Sequence, residues 1–516
     1  MDSTLAQRLA ALATTHANQP ALIEPARRMT YADLAHQTHR LAGFFQDRGI
    51  KANDRVALWL PNMIEWVTCF LALSKLGAIT LSVNTRFRSH EIEDLVGRGK
   101  ANWLIYWPDF KGIAFDKILS DVNPNVLTKL AGTITLEEIQ QASELEWGEV
   151  ADHGDHGALT FTTSGTTSLP KFVLHSQSAI IRHADAVAAA FNYDKQTRVL
   201  ASAPFCGAFG FATLIGGLLT GHAVVCEPVS DPHSLRTLIK AEQVTHTYAN
   251  NSLLLDIFKL PGDANDFESC CLFGFASFAP AMDELFALAS ANHVDLCGLY
   301  GSSELQALTA YQPNDPAEGD VTLLREPGGC LVHKDGKVRA RDPESGHLLA
   351  YGQSGEIEIL APSHMSGYLD NPDATHAAFT EDGFFKTGDL GWCVSDQQFV
   401  FQARMGDSLR LGGFLVNPAE IEQVVEKLEG IEACQVVAVE QGMKTVAVAF
   451  VTLQANAISD PKQWQLACKS RLAGFKVPAH FEVLDEFPTI QSANSTKIQK
   501  HKLRDMANSI MGERQA

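Results

Sequence analysis

Between Phe161 and Phe172 the chain reads TTSGTTSLPK, with six hydroxyl side chains, one glycine and Lys171 in ten residues. Small hydroxyl donors, inward-pointing backbone N–H groups and one cation are the parts of a phosphate cradle. The flanking runs GALT and VLH are apolar, which argues against a surface linker. The GxxxxGK[ST] spacing is not met, because Gly165 is followed by TTSL, Pro170 and Lys171. On local grounds a phosphate loop and an ordinary polar turn both stay open. Three further stretches carry side chains able to do chemistry. LYGSSE (299–304) ends a strand-like run and leaves Glu304 in a turn, where a carboxylate can hold a hard cation such as Mg2+. FFKTGDL (384–390) places Asp389 after a Thr-Gly turn, as an acceptor for ribose hydroxyls. ARMGDSLRLGGFLVNPAEIE (403–422) carries Arg404 and the pair Gly412–Gly413. Each of these, taken alone, reads as readily as a plain turn or loop.

The elements that must position these residues alternate between strand-like and helical runs. RVALWL is followed by NMIEWVTCFLALSKLG and AITLSV, and later come VLASAP, HAVVCEP and VDLCGLY. Such alternation predicts an α/β fold of layered subdomains with largely parallel sheets. The stretch from about 320 to 400 is rich in Gly and Asp and has short strands such as GEIEIL, which predicts a small β-rich module. Beyond it, NPAEIEQVVEKLEG has Asn417 as N-cap, Pro418 at the first helical position and Glu420 three residues after the cap. Ile421, Val424, Val425 and Leu428 form its apolar face. Strands CQVVAVE and TVAVAFVTL and the helix PKQWQLACKSRLAG follow. The expected division is a large N-terminal domain, residues 1–403, and a small mobile α+β domain, residues 404–516.

Composition narrows the partners. The 516 residues are 46% hydrophobic and 20% charged, enough for a large core and more than one domain. A formal charge of −19 disfavours nucleic acid and membrane surfaces, both of which call for a basic footprint. Local cations can still hold a small anion. The ten cysteines show no CxxC pair, and Cys270 and Cys271 are adjacent, so a reduced, cytoplasmic protein is expected. The start of the chain lacks a basic segment followed by an apolar core, so no secretory signal is expected. AFGFATLIGGLLTGHAVV is broken by four glycines and reads as a buried helix running into a strand, not a membrane span.

The order and spacing of the motifs together are specific. FTTSGTTSLPK, FGFASFAP (273–280), YGSSE, TGD, the R…D…GG…NPAEIE segment, LAGFKVPAHFEVLDEFP (472–488) and TKIQKHKLR (496–504) resemble the adenylate-forming superfamily of acyl- and aryl-CoA synthetases, adenylation domains and luciferases. LPNMIEWVTCFLALSKLGAITLSVNTRFRSHEI (60–92) resembles its acyl-CoA synthetase branch, and the likeness runs over nearly the whole chain.

The resemblance implies the chemistry. A carboxylate attacks the α-phosphorus of ATP, pyrophosphate leaves, and the thiol of CoA then displaces AMP. It also implies roles. Thr162, Thr163, Ser164, Gly165, Thr166, Thr167 and Lys171 would cradle the β- and γ-phosphates. Glu304 would hold Mg2+ and Ser303 would contact the α-phosphate. Tyr300 would stack on adenine, with Ser277, Phe278 and Ala279 as the other wall, and Asp389 and Arg404 would clasp the ribose. Lys497 would bridge the α-phosphate and the substrate carboxylate, with Lys500 and Lys502 as fallbacks. Its own surroundings, KIQKHKLR, read as a solvated basic helix start. After adenylation the small domain would turn, bringing Gly412 and Gly413 in to line the pantetheine tunnel.

Several positions depart from the family pattern. Ser168 and Phe172 replace glycines of the phosphate loop, with a stiffer or set-back loop as the expectation. PFCGAFG (204–210) puts Gly207 where a histidine is usual, Gly406 stands at the hinge, and Thr496 replaces a glycine beside Lys497 in a slightly longer C-terminal stretch. GAFGFATLI has no acid to hold an α-ammonium, which favours a plain carboxylic acid. Phe205, Phe209 and Phe211 suit an aryl or medium-chain group, and Gly207 and Gly210 are expected to leave room for bulk, although core packing explains the same phenylalanines. The expected activity is an AMP-forming acid–CoA ligase. The alternatives are a stand-alone adenylating enzyme loading a phosphopantetheinyl carrier protein, and a degenerate member that binds its ligand without turnover. The oligomeric state, a homodimer included, is left open.

Overall fold

The computed structural model describes residues 4–142, 145–148, 150–163, 170–276, 282–312, 328–405, 409–411, 414–416, 418–441, 444–469, 471–472, 474–491 and 496–513. Two large sheets dominate the N-terminal part. One has seven strands, and its spine is parallel: Gly157–Thr162, Ile79–Ser82, Arg55–Trp59, Trp103–Tyr106 and Gly132–Thr135 lie side by side. Two antiparallel strands, Phe172–Ser176 and the two-residue Gly367–Tyr368, complete its edge. The other sheet has thirteen strands. Its parallel half runs Pro20–Glu24, Ala223–Val225, Arg198–Leu200, His246–Asn250, Leu272–Ala276 and Leu296–Tyr300.

The region read as a small β-rich module is β-rich, but it does not stand apart. Its antiparallel strands continue the thirteen-stranded sheet beyond Leu296–Tyr300, through Ala310–Tyr311 and Gly328–Leu331.

Helices fill the space between the sheets. Ile64–Lys75 and Ala208–Leu218 are apolar almost all round and buried along nearly their whole length, as a helix walled on several sides must be. Trp66 packs edge-on against Phe205 and Phe211, and Phe70 meets Phe211 at 5.2 Å between ring centres. These rings join residues of both sheets in one hydrophobic cluster. The AFGFATLIGG run is thus a buried helix leading into strand Ala223–Val225, as expected. No helix among the described residues is long and apolar enough to cross a membrane. All ten cysteines are free thiols.

The C-terminal part has its own core. Ile431–Gln441 pairs antiparallel with Lys444–Leu453, and His480–Val483 joins the latter in parallel. Alternating residues feed two clusters, Cys434 and Val436 on one face and Val437 and Val439 on the other. The first face packs Ile421 and Val425 of helix Pro418–Glu426 and Trp464 of helix Pro461–Lys469. The second packs Leu503, Ala507 and Met511 of helix Lys500–Glu513. Asn417 lies outside the described residues.

One buried charge secures the strand that carries Asp389. Glu358, fully buried on strand Gly355–Leu360, accepts from Arg339 at 2.5 Å and from Arg341 at 2.6 Å. That strand pairs with Phe385–Cys393, the strand of Asp389. Removing the carboxylate leaves Arg339 with Asp382 and Arg341 with the Gly346 carbonyl but breaks the charged bonds between these strands, so Glu358→Ala is expected to cost about 2 kcal/mol. Equilibrium urea unfolding is the check; an unchanged midpoint would show that the carboxylate contributes nothing to holding these strands.

Candidate active site

Three parallel strands end together. Asn250 pairs with Ala276 at the carboxyl ends of His246–Asn250 and Leu272–Ala276, and Leu296–Tyr300 lies beside them. Open α/β sheets bind ligands outside such ends. Tyr300 is buried, its ring edge-on to Phe399 at 5.0 Å, and its hydroxyl donates to Asp389 at 2.5 Å. Burial, then the Asp389 charge, pushes its phenol well above the usual range, so the O–H remains a donor.

Asp389 owes its aim to the turn before it. Gly388 has φ +68°, a left-handed conformation that a side chain would strain. Thr387 donates its hydroxyl to the Ile357 carbonyl at 2.6 Å and accepts the Asp389 N–H at 3.0 Å. Register shifts on both sides mark a bulge here. Directly across the ladder stands Arg404, which donates to Asp389 at 2.5 Å and to the Thr387 carbonyl at 3.0 Å. Arg404 is the last residue of strand Gln398–Arg404, in the large sheet.

Ser303 and Glu304 open a short 3-10 turn, Ser303–Leu305. Their carbonyls are gripped from outside: His175 Nε2 reaches Ser303 O at 2.8 Å, and Met365 N–H donates to Glu304 O at 2.7 Å. Burial lowers the His175 pKa to about 4, so a neutral ring donates. After the turn, Gln306, Ala307 and Leu308 all have positive φ. Each such residue costs roughly 1–2 kcal/mol. The buried Gln306 amide, bonded to Ser363 O at 3.1 Å, and the Ala307 N–H, bonded to Ser302 O at 2.8 Å, hold the run in place.

The base of the hydroxyl-rich loop is a closed hairpin. Thr162 pairs with Phe172, Thr163 N–H donates to Lys171 O at 2.9 Å, and Lys171 N–H donates to the Thr163 hydroxyl at 3.1 Å. Ser164, Gly165, Thr166 and Thr167 lie outside the described residues, as do Ser168, Ser277, Phe278, Ala279, Gly406, Gly412 and Gly413. The Lys171 ammonium sits 4.6 Å from the centre of the Tyr368 ring, and the Tyr368 hydroxyl donates to Glu304 at 2.9 Å. Residues more than a hundred positions apart are thus gathered around one side chain.

Lys497 is the middle residue of strand Thr496–Ile498, paired with Ile490. A helix does start within KIQKHKLR, at Lys500, but Lys497 lies before it on the strand. Lys500 is committed elsewhere: its ammonium lies 3.0 Å from Glu422, which also accepts Val436 N–H. That pairing explains Lys500 as a tie within the C-terminal core.

Comparison with known proteins decides the family. The family profile described as AMP-binding enzyme matches residues 9–369, and that described as AMP-binding enzyme C-terminal domain matches residues 420–494. The chain belongs to the adenylate-forming AMP-binding enzymes. Its relatives include a long-chain-fatty-acid–CoA ligase of Mycobacterium tuberculosis, 27% identical over 90% of this chain and 92% of that protein. A mitochondrial medium-chain acyl-CoA ligase of Danio rerio is 26% identical over 99% and 89%. ATP-bound MatB from Rhodopseudomonas palustris has the same fold, with a TM-score of 0.83 at 23% identity over 98% and 99% of the two chains. The reaction class is that of an AMP-forming acid–thiol ligase.

In this adenylate-forming enzyme two expectations about the acyl pocket need correction. Phe205 and Phe211 are core residues, packed on Trp66 and essentially without exposure, and Phe209 belongs to the same cluster. Gly210 leaves no room for bulk, because a Cβ there would meet Pro204 O at 2.2 Å and Ala203 O at 2.3 Å. Gly207 is the N-cap residue of helix Ala208–Leu218. Asn62, which lies in the 60–92 motif but was given no role there, clamps this stretch, donating to Ala203 O at 2.8 Å and accepting Phe205 N–H at 2.8 Å. Phe172, one of the departures, points its ring into a core cluster, beneath the Arg98 guanidinium at 5.3 Å. Tyr368 and His175 were also missed. The only signal for His175 is its place two residues after Val173 on the strand leaving the loop.

Gly210→Ala is therefore expected to lower the apparent unfolding temperature, a cost of about 1–3 kcal/mol for overpacking. Thermal unfolding read beside acid selectivity is the check. Altered selectivity at unchanged melting would restore Gly210 to the pocket wall.

Proposed function

We propose that this chain activates an apolar carboxylic acid, aryl or medium-chain, as its adenylate with ATP and Mg2+ and transfers the acyl group to CoA. The observation that carries the reading is the gathering of Lys171, Glu304, Tyr300, Asp389 and Arg404 at the ends of the parallel strands. A carboxylate oxygen attacks the α-phosphorus and the bond to pyrophosphate breaks. The CoA thiolate then attacks the acyl carbonyl and AMP departs, leaving the thioester.

Thr162, Thr163 and Lys171, with Ser164, Gly165, Thr166 and Thr167, hold the β- and γ-phosphates. Ser303 contacts the α-phosphate. Tyr300, Ser277, Phe278 and Ala279 enclose adenine, and Asp389 and Arg404 take the ribose. Lys497 carries its cation to the α-phosphate and the acid carboxylate, the group whose charge changes most in the transition state. Gly412 and Gly413 line the thiol's path once the C-terminal domain, taken as residues 404–516, has turned.

The residues present fit Mg2+. Hard oxygen donors suit it: Glu304 supplies a carboxylate, and two residues before it the buried Ser302 hydroxyl has no hydrogen-bond partner among the described residues. Bound there, the ion would neutralise phosphate oxygens. An apolar acid tail is supported by relatives named as long-chain and medium-chain acyl–CoA ligases. The free cysteines fit a reduced, cytoplasmic setting.

AMP release from ATP, measured over a panel of aryl and aliphatic acids with and without CoA, tests the whole reading. CoA-dependent release supports it. Release that needs a phosphopantetheinyl carrier protein, or no pyrophosphate exchange with any acid, overturns it. Within it, Lys497→Ala is expected to slow adenylate formation by a factor of about 100 or more and to leave CoA attack on supplied acyl-adenylate intact. Loss of neither half-reaction would reject the lysine. Gly413→Leu should impair thioester formation more than pyrophosphate exchange, and equal loss in both would reject the tunnel.

A further inference from the structure

Tyr368 sits at the seam between the two large sheets. Its two-residue strand pairs with the strand leaving the phosphate loop, Tyr368 opposite Val173 and Gly367 opposite Leu174. Leu369 N–H donates to Phe172 O at 2.8 Å and Tyr368 N–H to the Thr375 hydroxyl at 2.9 Å, so the backbone is held on both sides. The side chain is buried, with its ring face under the Lys171 ammonium at 4.6 Å and its hydroxyl on Glu304 at 2.9 Å.

A lysine and a glutamate placed this near each other would ordinarily pair. Such a pair would quench the cation needed by phosphate and the carboxylate needed by the metal, and it would have to break each time nucleotide arrives. The two ends of a tyrosine meet both needs. The ring face attracts a cation, and the hydroxyl is a strong donor to a carboxylate. We infer that Tyr368 is a positioning residue that keeps Lys171 and Glu304 apart, each oriented for its own ligand oxygen. Tyr368 thus stands behind the metal-holding carboxylate, where a lost hydrogen bond commonly costs ten- to a hundred-fold in metal affinity.

This inference rests on the reading of Glu304 as the Mg2+ holder and Lys171 as a phosphate cation. The test uses the full chain and α,β-methylene-ATP, which cannot form the adenylate, with binding followed by calorimetry over a Mg2+ series. Tyr368→Phe keeps the ring and loses the hydroxyl. It is expected to raise the Mg2+ concentration for half-maximal tightening about ten-fold, with metal-free binding and the melting temperature unchanged. Tyr368→Leu loses both contacts and is expected to weaken metal-free binding as well, about five-fold. A wild-type Mg2+ dependence in Tyr368→Phe overturns the inference, whether or not melting falls, because packing alone would then describe the residue. Should Tyr368→Leu fail to fold, the Phe variant decides. Glu304→Gln separates the two readings. If it retains the wild-type Mg2+ response, the metal assignment itself fails; if it loses that response while Tyr368→Phe does not, only the Tyr368 inference falls.

Discussion

The site depends on one seam. The strand Gly367–Tyr368 hydrogen-bonds to the edge of the seven-stranded sheet, and two residues earlier Met365 N–H bonds the Glu304 carbonyl at the end of the other sheet's parallel half. His175 crosses the same gap to Ser303 O. The buried core sets the two sheets against each other, and these bonds fix the hydroxyl-rich hairpin and the Ser303–Leu305 turn locally across the gap. With them, Lys171 and Glu304 come to share one tyrosine. Proximity of this kind is what a reaction between two anions most needs, since neither reactant supplies its own attraction.

Holding that geometry costs backbone strain. Three consecutive residues, Gln306, Ala307 and Leu308, occupy left-handed conformations directly after the Ser303–Leu305 turn, and the Thr-Gly-Asp turn bulges to swing Asp389 toward Tyr300 and Arg404. Such conformations persist where surrounding bonds over-determine them. Here the buried Gln306 amide, the Ala307 N–H and the Thr387 hydroxyl each have a backbone partner. The strain is thus placed beside the groups proposed to meet the nucleotide. The burden falls on interior contacts such as Glu358 between its two arginines.

The layered α/β fold was legible because period and composition report it. Near-continuous apolar runs such as AFGFATLIGG call for walls on several sides, and the helix formed, Ala208–Leu218, is too short to cross a bilayer. The family motifs were legible through their order. What escaped was whatever depends on packing across the seam. Tyr368 and His175 are ordinary strand residues in sequence, and their partners lie 197, 64 and 128 positions away, too far for any local pattern to register. Gly210 misled for a related reason. A glycine states that a side chain is absent, not whether a ligand or a backbone carbonyl takes the space. In KIQKHKLR the helix begins at Lys500, while pairing with Thr489–Gln491 puts Lys497 on a strand, a division its basic residues alone do not set.

The charge balance of the chain gives these local arrangements their weight. A protein of net charge −19 offers no long-range attraction to ATP, itself polyanionic. At physiological salt, fields from exposed charges fade over about 8 Å, so the acidic envelope neither guides nor strongly bars the nucleotide. Capture must then come from contacts made at close range: oriented N–H groups, hydroxyls and a few cations already facing the phosphates. A lysine folded onto a neighbouring carboxylate would contribute nothing to that capture. Spacing such charges would therefore be part of binding, the role proposed for Tyr368, whose ring face meets Lys171 and whose hydroxyl meets Glu304.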